Sequence, residues 1–249
     1  MQNKVSEEKM NQSIDITNMP KHIGVIMDGN GRWAQRRSMI RTLGHRHAMK
    51  AVKTAISYCS QIGIKVLTMY AFSTENWKRP VDEVDTLMNL IVEFLLKETP
   101  EMKKNNVVLH FIGDLSRLPE KSKRAIEYSV AEMKDNSGLK VNIALNYGGR
   151  ADIVSATKEI CKCVQMGELS VEDINETLFS GYLYTAADPD PDLIIRSGGE
   201  TRLSNFLTWQ SAYSELYFTD VLWPDFGEKE FDDAILYFQG RDRRYGGIK

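Results

Sequence analysis

The feature that most constrains the fold of this chain is a regular alternation of short apolar runs with segments of helical periodicity. The runs lie at 22–27, 65–72, 107–112, 140–146 and 192–196. Apolar side chains recur at every third or fourth position in the segments that separate or follow them, at 48–62, 125–133, 152–166 and 228–239. Strands that are apolar on both faces and alternate with helices are typical of a parallel sheet covered on both sides. We therefore predict an α/β fold, a single domain with a mostly parallel central sheet flanked by helices.

Length and composition place the chain in a broad class. Its 249 residues can form one large core, and 42% hydrophobic residues are ordinary for a soluble globular protein. The net charge of −2 argues against a nucleic-acid-binding protein. Three irregularly spaced cysteines, Cys59, Cys161 and Cys163, do not form a disulfide framework. The polar N-terminus lacks the apolar core of a signal peptide, so we expect a flexible tail at 1–18, one domain at 19–249 and a cytoplasmic location.

Glycine-rich or charged segments directly follow four of the predicted strands. They are DGNGR at 28–32, STENWKR at 73–79, NYGGR at 146–150 and RSGGETR at 196–202. Ligands of a parallel sheet bind beyond the carboxyl ends of its strands. The sequence therefore predicts that these four segments converge on one binding site at a single edge of the sheet.

The charge distribution indicates what this site binds. Between Gly29 and Thr74 there is no aspartate or glutamate, whereas the same span contains eight lysines and arginines. Guanidinium groups and turn N–H groups are typical of sites for phosphate or diphosphate. Arg196 and Arg202 flank a second glycine pair and predict a second anion site. Together with the lone carboxylate of Asp28, this pattern favours two phosphorylated substrates and a divalent cation.

Two other ligand types match parts of the sequence less well. Gly29, Gly31 and Ala34 match the spacing of a dinucleotide fingerprint, but no acid follows at the distance at which it would hold the ribose. The acidic stretch DPDPD at 188–192 superficially resembles a calcium cluster. Its prolines force an extended backbone, so a stiff surface loop is the favoured interpretation.

The segment VDTLMNLIVEFLLKE at 84–98 is a candidate wall for an apolar ligand. Only Asn89 and Glu93 interrupt its apolar residues between Leu87 and Leu96. A helix that is apolar on most sides needs two surfaces to pack against. One is the sheet, and the other is either a subunit interface or an apolar ligand. Diphosphates with long apolar tails are prenyl diphosphates.

Four long segments carry a resemblance to a known family, the cis-prenyltransferases. They are HIGVIMDGNGRWA, YAFSTENWKRP, NYGGRADI and LIIRSGGETRLSNFLTWQSAYSELYF, and the likeness extends from about Pro20 to Gly247. It implies a parallel sheet of about six strands and a homodimer. It also implies a Mg²⁺-dependent enzyme that adds isopentenyl diphosphate repeatedly, with cis double bonds, to an allylic prenyl diphosphate such as farnesyl diphosphate. The implied product is a long polyprenyl diphosphate such as undecaprenyl diphosphate, released through transient contact with the inner face of the membrane.

The resemblance also implies residue roles. Asp28 is the implied catalytic magnesium ligand and Glu215 the second metal ligand, while Asn76 stands where the family is said to have its proton acceptor. An amide is a very poor base, so we expect Asn76 to orient substrate while a diphosphate oxygen takes the proton. The remaining implied substrate-binding residues are Gly29, Asn30, Gly31, Arg32, Trp33, Arg41, His45, Ser73, Thr74, Glu75, Trp77, Arg79, Arg196, Arg202, Leu203 and Ser204. Arg244 resembles a residue that some members extend into the neighbouring subunit's site.

Three alternatives to this interpretation are a trans-type synthase, a non-catalytic partner subunit and a shorter-chain synthase. A trans-type synthase uses aspartate-rich DDxxD helices, and the nearest segment here, starting at Asp232, lacks the last acid. A non-catalytic partner subunit or a shorter-chain synthase would share the fold. The partner subunit is expected to have lost the metal aspartate or an arginine cradle, but this chain has Asp28, Arg196 and Arg202.

Overall fold

The computed structural model describes residues 13–241. Within this range six strands form one sheet: β1 (His22–Ile26), β2 (Val66–Ser73), β3 (Val108–Ile112), β4 (Lys140–Tyr147), β5 (Leu193–Arg196) and β6 (Glu215–Phe218). Their order across the sheet is β3-β4-β2-β1-β5-β6, and every neighbouring pair is parallel. The carboxyl ends of all six strands therefore lie at one edge, as the sequence pattern predicts.

Helices connect and cover the strands. They are α1 (Asn30–Gln35), α2 (Arg41–Gln61), α3 (Val81–Lys104), α4 (Glu120–Glu132), α5 (Gly149–Gln165), α6 (Glu176–Ser180) and α7 (Glu228–Gln239), and a short 3₁₀ helix at Thr74–Lys78 joins β2 to α3. The single-domain α/β prediction with a parallel sheet is confirmed. The five predicted strands agree with β1 to β5 to within one residue at each end.

The sequence pattern did not predict two of the elements, β6 and α1. Strand β6 has only four residues, all half-buried, and so short a segment gives no clear strand signal. Helix α1 begins directly at Asn30, where the glycines predicted a turn. Gly29 precedes it with φ of +103°, a left-handed conformation in which a side chain is strained. A Cβ there would also lie 2.7 Å from the Leu222 side chain.

The two faces of the sheet are covered differently. On one face, β-strand residues such as Val25, Leu67 and Met69 pack with α2, α3, α4 and α7 in the main hydrophobic core. On the other face, Ile26, Ile112, Ala144 and Ile194 pack under the segment that contains Phe206 and Leu207. Helices α2 and α3 therefore lie side by side on the main face, next to the carboxyl edge where β1 ends.

The described part of the predicted N-terminal tail, residues 13–18, contacts the end of α7. Gln239 accepts a hydrogen bond from the backbone N–H of Asp15 at 3.0 Å and donates to the carbonyl oxygens of Asp15 and Asn18. These contacts fix the backbone before β1. Arg244, which the resemblance places in a neighbouring subunit's site, lies outside the described residues.

Candidate active site

Asp28 lies where β1 ends and α1 begins, at the carboxyl edge of the sheet. One carboxylate oxygen is 3.1 Å from Arg32 and the other is 2.9 Å from Arg196, which comes from the end of β5. The Gly29 N–H donates to the same carboxylate at 2.6 Å. The hydroxyl of Ser197 fixes the backbone at Asp28 by accepting from its N–H and donating to its carbonyl. The topology thus brings together two segments that are 168 residues apart.

The arginines keep the Asp28 carboxylate ionised. Burial acts to raise its pKa, but the hydrogen bond from Arg196 and the charge of Arg32 outweigh burial and hold the pKa below its usual range. Because the Asp28 side chain is 32% exposed, the carboxylate still faces the cleft. It is therefore an accessible anion in a cationic surrounding.

Arg196 is buried and connects the two predicted anion sites. Its side chain is 5% exposed, and it donates to the Ser204 hydroxyl at 2.7 Å and to the Arg202 carbonyl oxygen. The Arg202 side chain itself is 64% exposed and pairs with Glu200 at 2.5 Å. The sequence assigned Arg196 and Asp28 to separate cradles, whereas the structure joins them in one ion pair. Of the two arginines, Arg202 is the one whose side chain pairs with Glu200 instead of Asp28.

Glu83 holds together the basic residues on the other side of the cleft. It lies in the first turn of α3, and its carboxylate is 3.1 Å from Arg79, 3.5 Å from Nε2 of His45 and 3.8 Å from Arg41. Burial and the nearby Arg79 lower the pKa of His45 against the opposing effect of Glu83, so the imidazole is neutral near pH 7. The sequence analysis missed Glu83. Its position four residues after Arg79, at the start of a helix, was the available signal.

The segment after β2 is held in a fixed turn by its own side chains. Ser73 and Asn76 form a reciprocal cap of the 3₁₀ helix, in which the Asn76 oxygen accepts from the Ser73 N–H at 3.1 Å. Thr74 donates to Glu75, and Glu75 accepts from Asn205 at 3.0 Å. This contact ties the segment to the loop that carries Ser204. Asn205 is a second residue that the sequence analysis missed.

A polar cleft at this edge opens directly into an apolar cavity. The cleft is lined by eleven of the predicted site residues, namely Asp28, Gly29, Asn30, Gly31, Arg41, His45, Ser73, Asn76, Arg79, Arg196 and Ser204. The cavity lies between α2, α3 and the sheet and is lined mainly by apolar side chains. Both are bordered by Met27, Asn30, His45, Tyr70, Ala71 and Leu87. An anionic head in the cleft would therefore have an apolar tail in the cavity.

Two predicted substrate-binding tryptophans lie away from this cleft. Trp33 is buried beside Leu222, donates to Asp225 at 2.6 Å and lines neither the cleft nor the cavity. Trp77 packs edge-on against Phe72 and donates to Asn146 at 2.7 Å. In this conformation both indoles anchor the backbone of the site segments, because each N–H donates to an acceptor in the protein.

The predicted metal pair of Asp28 and Glu215 is not formed within one chain. Glu215 is the first residue of β6 and is in register with Leu193, which is in register with Ile23 near the start of β1. It therefore lies at the amino edge of the sheet, where its carboxylate is 3.2 Å from Arg241. Parallel pairing fixes this separation, so Glu215 cannot reach a metal ion held by Asp28 of the same chain.

The residues of the cleft fit a magnesium ion bound together with phosphate groups. No cluster of three or more His, Cys, Asp or Glu side chains suited to a metal occurs among residues 13–241. Magnesium is commonly bound by one or two carboxylates, with substrate phosphates and water completing its shell. Asp28 provides one accessible carboxylate. The buried Oδ1 of Asn30 and Nε of Arg196 have no hydrogen-bond partner among the described residues, which is the pattern of a cleft built for a polar ligand.

These features define a class: a parallel α/β protein whose basic cleft and apolar cavity together suit a ligand with an anionic head and an apolar tail. Residues 26–246 match the family described as "Putative undecaprenyl diphosphate synthase". The isoprenyl transferase of Bacillus subtilis is 55% identical over 230 residues, 92% of this chain and 88% of that protein. The isoprenyl transferase of Clostridium perfringens is 54% identical over 93% of this chain and 91% of that protein.

Solved structures show the same architecture. Lavandulyl diphosphate synthase from Lavandula x intermedia, in complex with dimethylallyl diphosphate, has a TM-score of 0.90 at 40% identity over 92% of this chain and 99% of that one. A probable undecaprenyl diphosphate synthase from Campylobacter jejuni has a TM-score of 0.77 at 37% identity, with the same coverage. The chain belongs to the cis-prenyltransferase family and is a prenyl-transferring enzyme. Among the described residues, no helix is both long and apolar enough to span a membrane.

Proposed function

We propose that this enzyme adds isopentenyl diphosphate repeatedly to farnesyl diphosphate, with cis double bonds, to give undecaprenyl diphosphate for the cell-wall lipid carrier. The observation that carries the proposal is the continuity of the polar cleft with the apolar cavity through Met27, Ala71 and Leu87. A growing chain needs a fixed reacting head and an apolar space into which its tail extends. We further propose a homodimer that works in the cytoplasm at the inner face of the membrane.

The residues have distinct tasks in this reaction. The Gly29–Gly31 backbone and the guanidinium groups of Arg32 and Arg41 would hold the allylic diphosphate, whose departure increases negative charge beside them. Arg196, Arg202 and Ser204 would hold isopentenyl diphosphate on the β5 side of the cleft. The Asp28 carboxylate would hold Mg²⁺, which supplies charge neutralisation of the departing diphosphate when bound.

The two substrates themselves supply the electrons, the leaving group and the proton acceptor of the chemical step. The alkene electrons of isopentenyl diphosphate form the new bond to C1 of the allylic substrate, while the C–O bond of that carbon breaks and releases diphosphate. Loss of one C2 proton to a diphosphate oxygen then forms the new double bond. The Asn76 oxygen already accepts from Ser73, so its NH₂ group is free to donate to substrate and orient it.

The decisive experiment removes the Asp28 carboxylate. We expect Asp28→Asn and Asp28→Ala to lose nearly all turnover of radiolabelled isopentenyl diphosphate with farnesyl diphosphate, while both substrates still bind. The reason is that charge neutralisation of the departing diphosphate depends on this carboxylate, whereas most binding contacts come from arginines. Resolving the products by chain length identifies the product of the unchanged enzyme. A kcat within tenfold of the unchanged enzyme in both variants would contradict the assignment.

A further inference from the structure

Apolar side chains are exposed at the start of α2, within the most basic part of the chain. The exposed fraction is 69% for Ile40, 39% for Met39 and 38% for Leu43. They lie within a span, Gly29 to Thr74, that contains no acidic residue. Exposed apolar residues next to one another and surrounded by cations differ from the scattered apolar residues of an ordinary surface.

We call the exposed residues Met39, Ile40 and Leu43 the apolar tip. Exposed polar and basic residues near this tip continue along the exposed side of α2. Leu43, His47 and Lys50 recur at helical spacing, and all three are exposed. Some of the nearby positive charge is neutralised, because Arg37 pairs with Asp225 at 3.2 Å and Arg46 with Glu93 at 3.0 Å. Arg36 and Lys50 form no ion pair with any residue in the range 13–241. The surface therefore combines a small apolar tip with uncompensated positive charge.

The same side of the molecule has an opening toward the apolar cavity. A groove between α2 and α3 is lined by Arg46, Lys50, Lys53, Glu93, Lys97 and Glu98 at its rim. Its floor is formed by Met49, Leu90 and Phe94, and these three side chains also line the apolar cavity. Lys50 belongs both to the exposed side of α2 and to this groove. A single layer of apolar side chains therefore separates the cavity from the surface beside the apolar tip.

We propose that residues Met39, Ile40 and Leu43, together with Arg36 and Lys50, form a docking surface for an anionic lipid bilayer, with the α2–α3 groove facing the lipid. This inference rests on the proposed function, because a long apolar product needs an apolar phase to enter. Apolar side chains insert at the level of the headgroups, and lysines and arginines are attracted to anionic lipids. Nucleic acid is anionic like the proposed lipid bilayer, but binding to nucleic acid gives no reason for the exposed side chain of Ile40.

The test is co-flotation of the full-length protein with vesicles. The unchanged protein is expected to float with vesicles that contain phosphatidylglycerol, to float much less with pure phosphatidylcholine, and to be released by high salt. The double variant Arg36→Glu with Lys50→Glu should lower the partition coefficient about tenfold or more. Its matched control, Lys121→Glu with Lys134→Glu, changes the same charge on and just after α4, and is expected to behave like the unchanged protein.

A second pair of variants tests the apolar tip. Met39→Glu with Ile40→Glu should also lower the partition coefficient strongly, whereas Val171→Glu, at a residue elsewhere that is 62% exposed, should not. All variants should still elongate farnesyl diphosphate in detergent, which separates failure of this proposal from failure of the proposed function. Absence of flotation for the unchanged protein, or flotation of both double variants at its level, would overturn the docking surface. Equal binding to neutral and anionic vesicles would also overturn it.

Discussion

At the scale of single residues, the site is a set of charges that hold one another in place before substrate binds. The Asp28 carboxylate contacts Arg32 and Arg196, and the Glu83 carboxylate contacts Arg79 and lies near Arg41. Cations held in position by carboxylates lose less conformational freedom when a diphosphate arrives. The carboxylates of Asp28 and Glu83 therefore position the arginines, in addition to any effect on a bound ligand.

The two arginines near β5 should differ in their kinetic effects. Arg202→Ala is expected to raise the KM of isopentenyl diphosphate about ten- to a hundredfold with kcat little changed, because one charge-assisted contact is worth about 1.5–3 kcal/mol. Arg196→Ala should also lower kcat, because Asp28 loses a partner. Steady-state kinetics with each substrate varied would measure both, with Arg124→Ala on α4 as the control. A larger change in the KM of farnesyl diphosphate for Arg202→Ala would contradict the assignment.

Glu83 offers a test of positioning. Glu83→Gln keeps the size of the side chain but removes the charge that Arg79, Arg41 and His45 share. We expect the KM of the allylic substrate to rise roughly tenfold while kcat changes less, because positions of cations rather than reacting groups are disturbed. Glu120→Gln, in an exposed pair with Arg124, is the matched control. A loss of kcat with an unchanged KM for the allylic substrate would show that Glu83 does not position these cations.

At the scale of elements, an irregularity at the end of β2 shapes the cavity entrance. Strict alternation predicts that Leu67, Met69, Ala71 and Ser73 share one face of the strand. The pairing of β2 with β4 shifts register between Tyr70 and Ser73. After the shift Phe72 packs in the same core as Leu67 and Met69, yet Ala71 still borders both the cleft and the cavity. A bulge of this kind redirects side chains next to a site.

Ala71 is therefore the position at which to obstruct the growing chain. Ala71→Leu should stop elongation early and shift the products to short prenyl diphosphates, with the first condensations nearly normal. Each methylene of product buried in the cavity contributes roughly 0.8 kcal/mol, so the tail extends wherever space allows. Chain-length analysis of the products checks this, with Ala131→Leu on the exposed side of α4 as control. Full-length product from an active Ala71→Leu enzyme would place the path beside Leu87, Ile91 and Leu95 instead.

At the scale of the whole molecule, buried histidines connect stability to pH. His22 lies within a buried polar network and contacts the Pro189 carbonyl oxygen at 2.6 Å and the Thr68 hydroxyl at 2.7 Å. Burial lowers the pKa of His22, His45 and His110 below the usual value. The unfolded chain therefore binds more protons than the folded one just below pH 6.5.

The free energy of unfolding should accordingly fall as the pH is lowered. The contribution of these histidines is present above about pH 6.5 and is lost as the pH falls through this value toward their lowered folded-state pKa. Urea unfolding between about pH 7.5 and pH 5 measures the slope. His22→Gln should flatten it, because the glutamine that replaces the buried imidazole does not titrate. A slope of opposite sign, or one that His22→Gln leaves as steep, would contradict this account.

The sequence by itself determined the α/β class, five of the six described strands and most of the segments at the carboxyl edge. Alternation of apolar runs with helices is a local pattern, and local patterns survive in the sequence. The dense arginines and the lone Asp28 also indicated a diphosphate site before any geometry was known. Sequence letters alone, however, cannot show which charges meet across the sheet.

The tertiary structure decided the partners of those residues. It paired Asp28 with Arg196, brought Glu83 to the cradle, turned Trp33 and Trp77 away from the cleft and placed Glu215 at the opposite edge. Each outcome depends on strand order and register, which join segments distant in the chain. The physical reason is that parallel pairing fixes the edge at which a side chain lies, whereas composition and spacing fix only its chemistry.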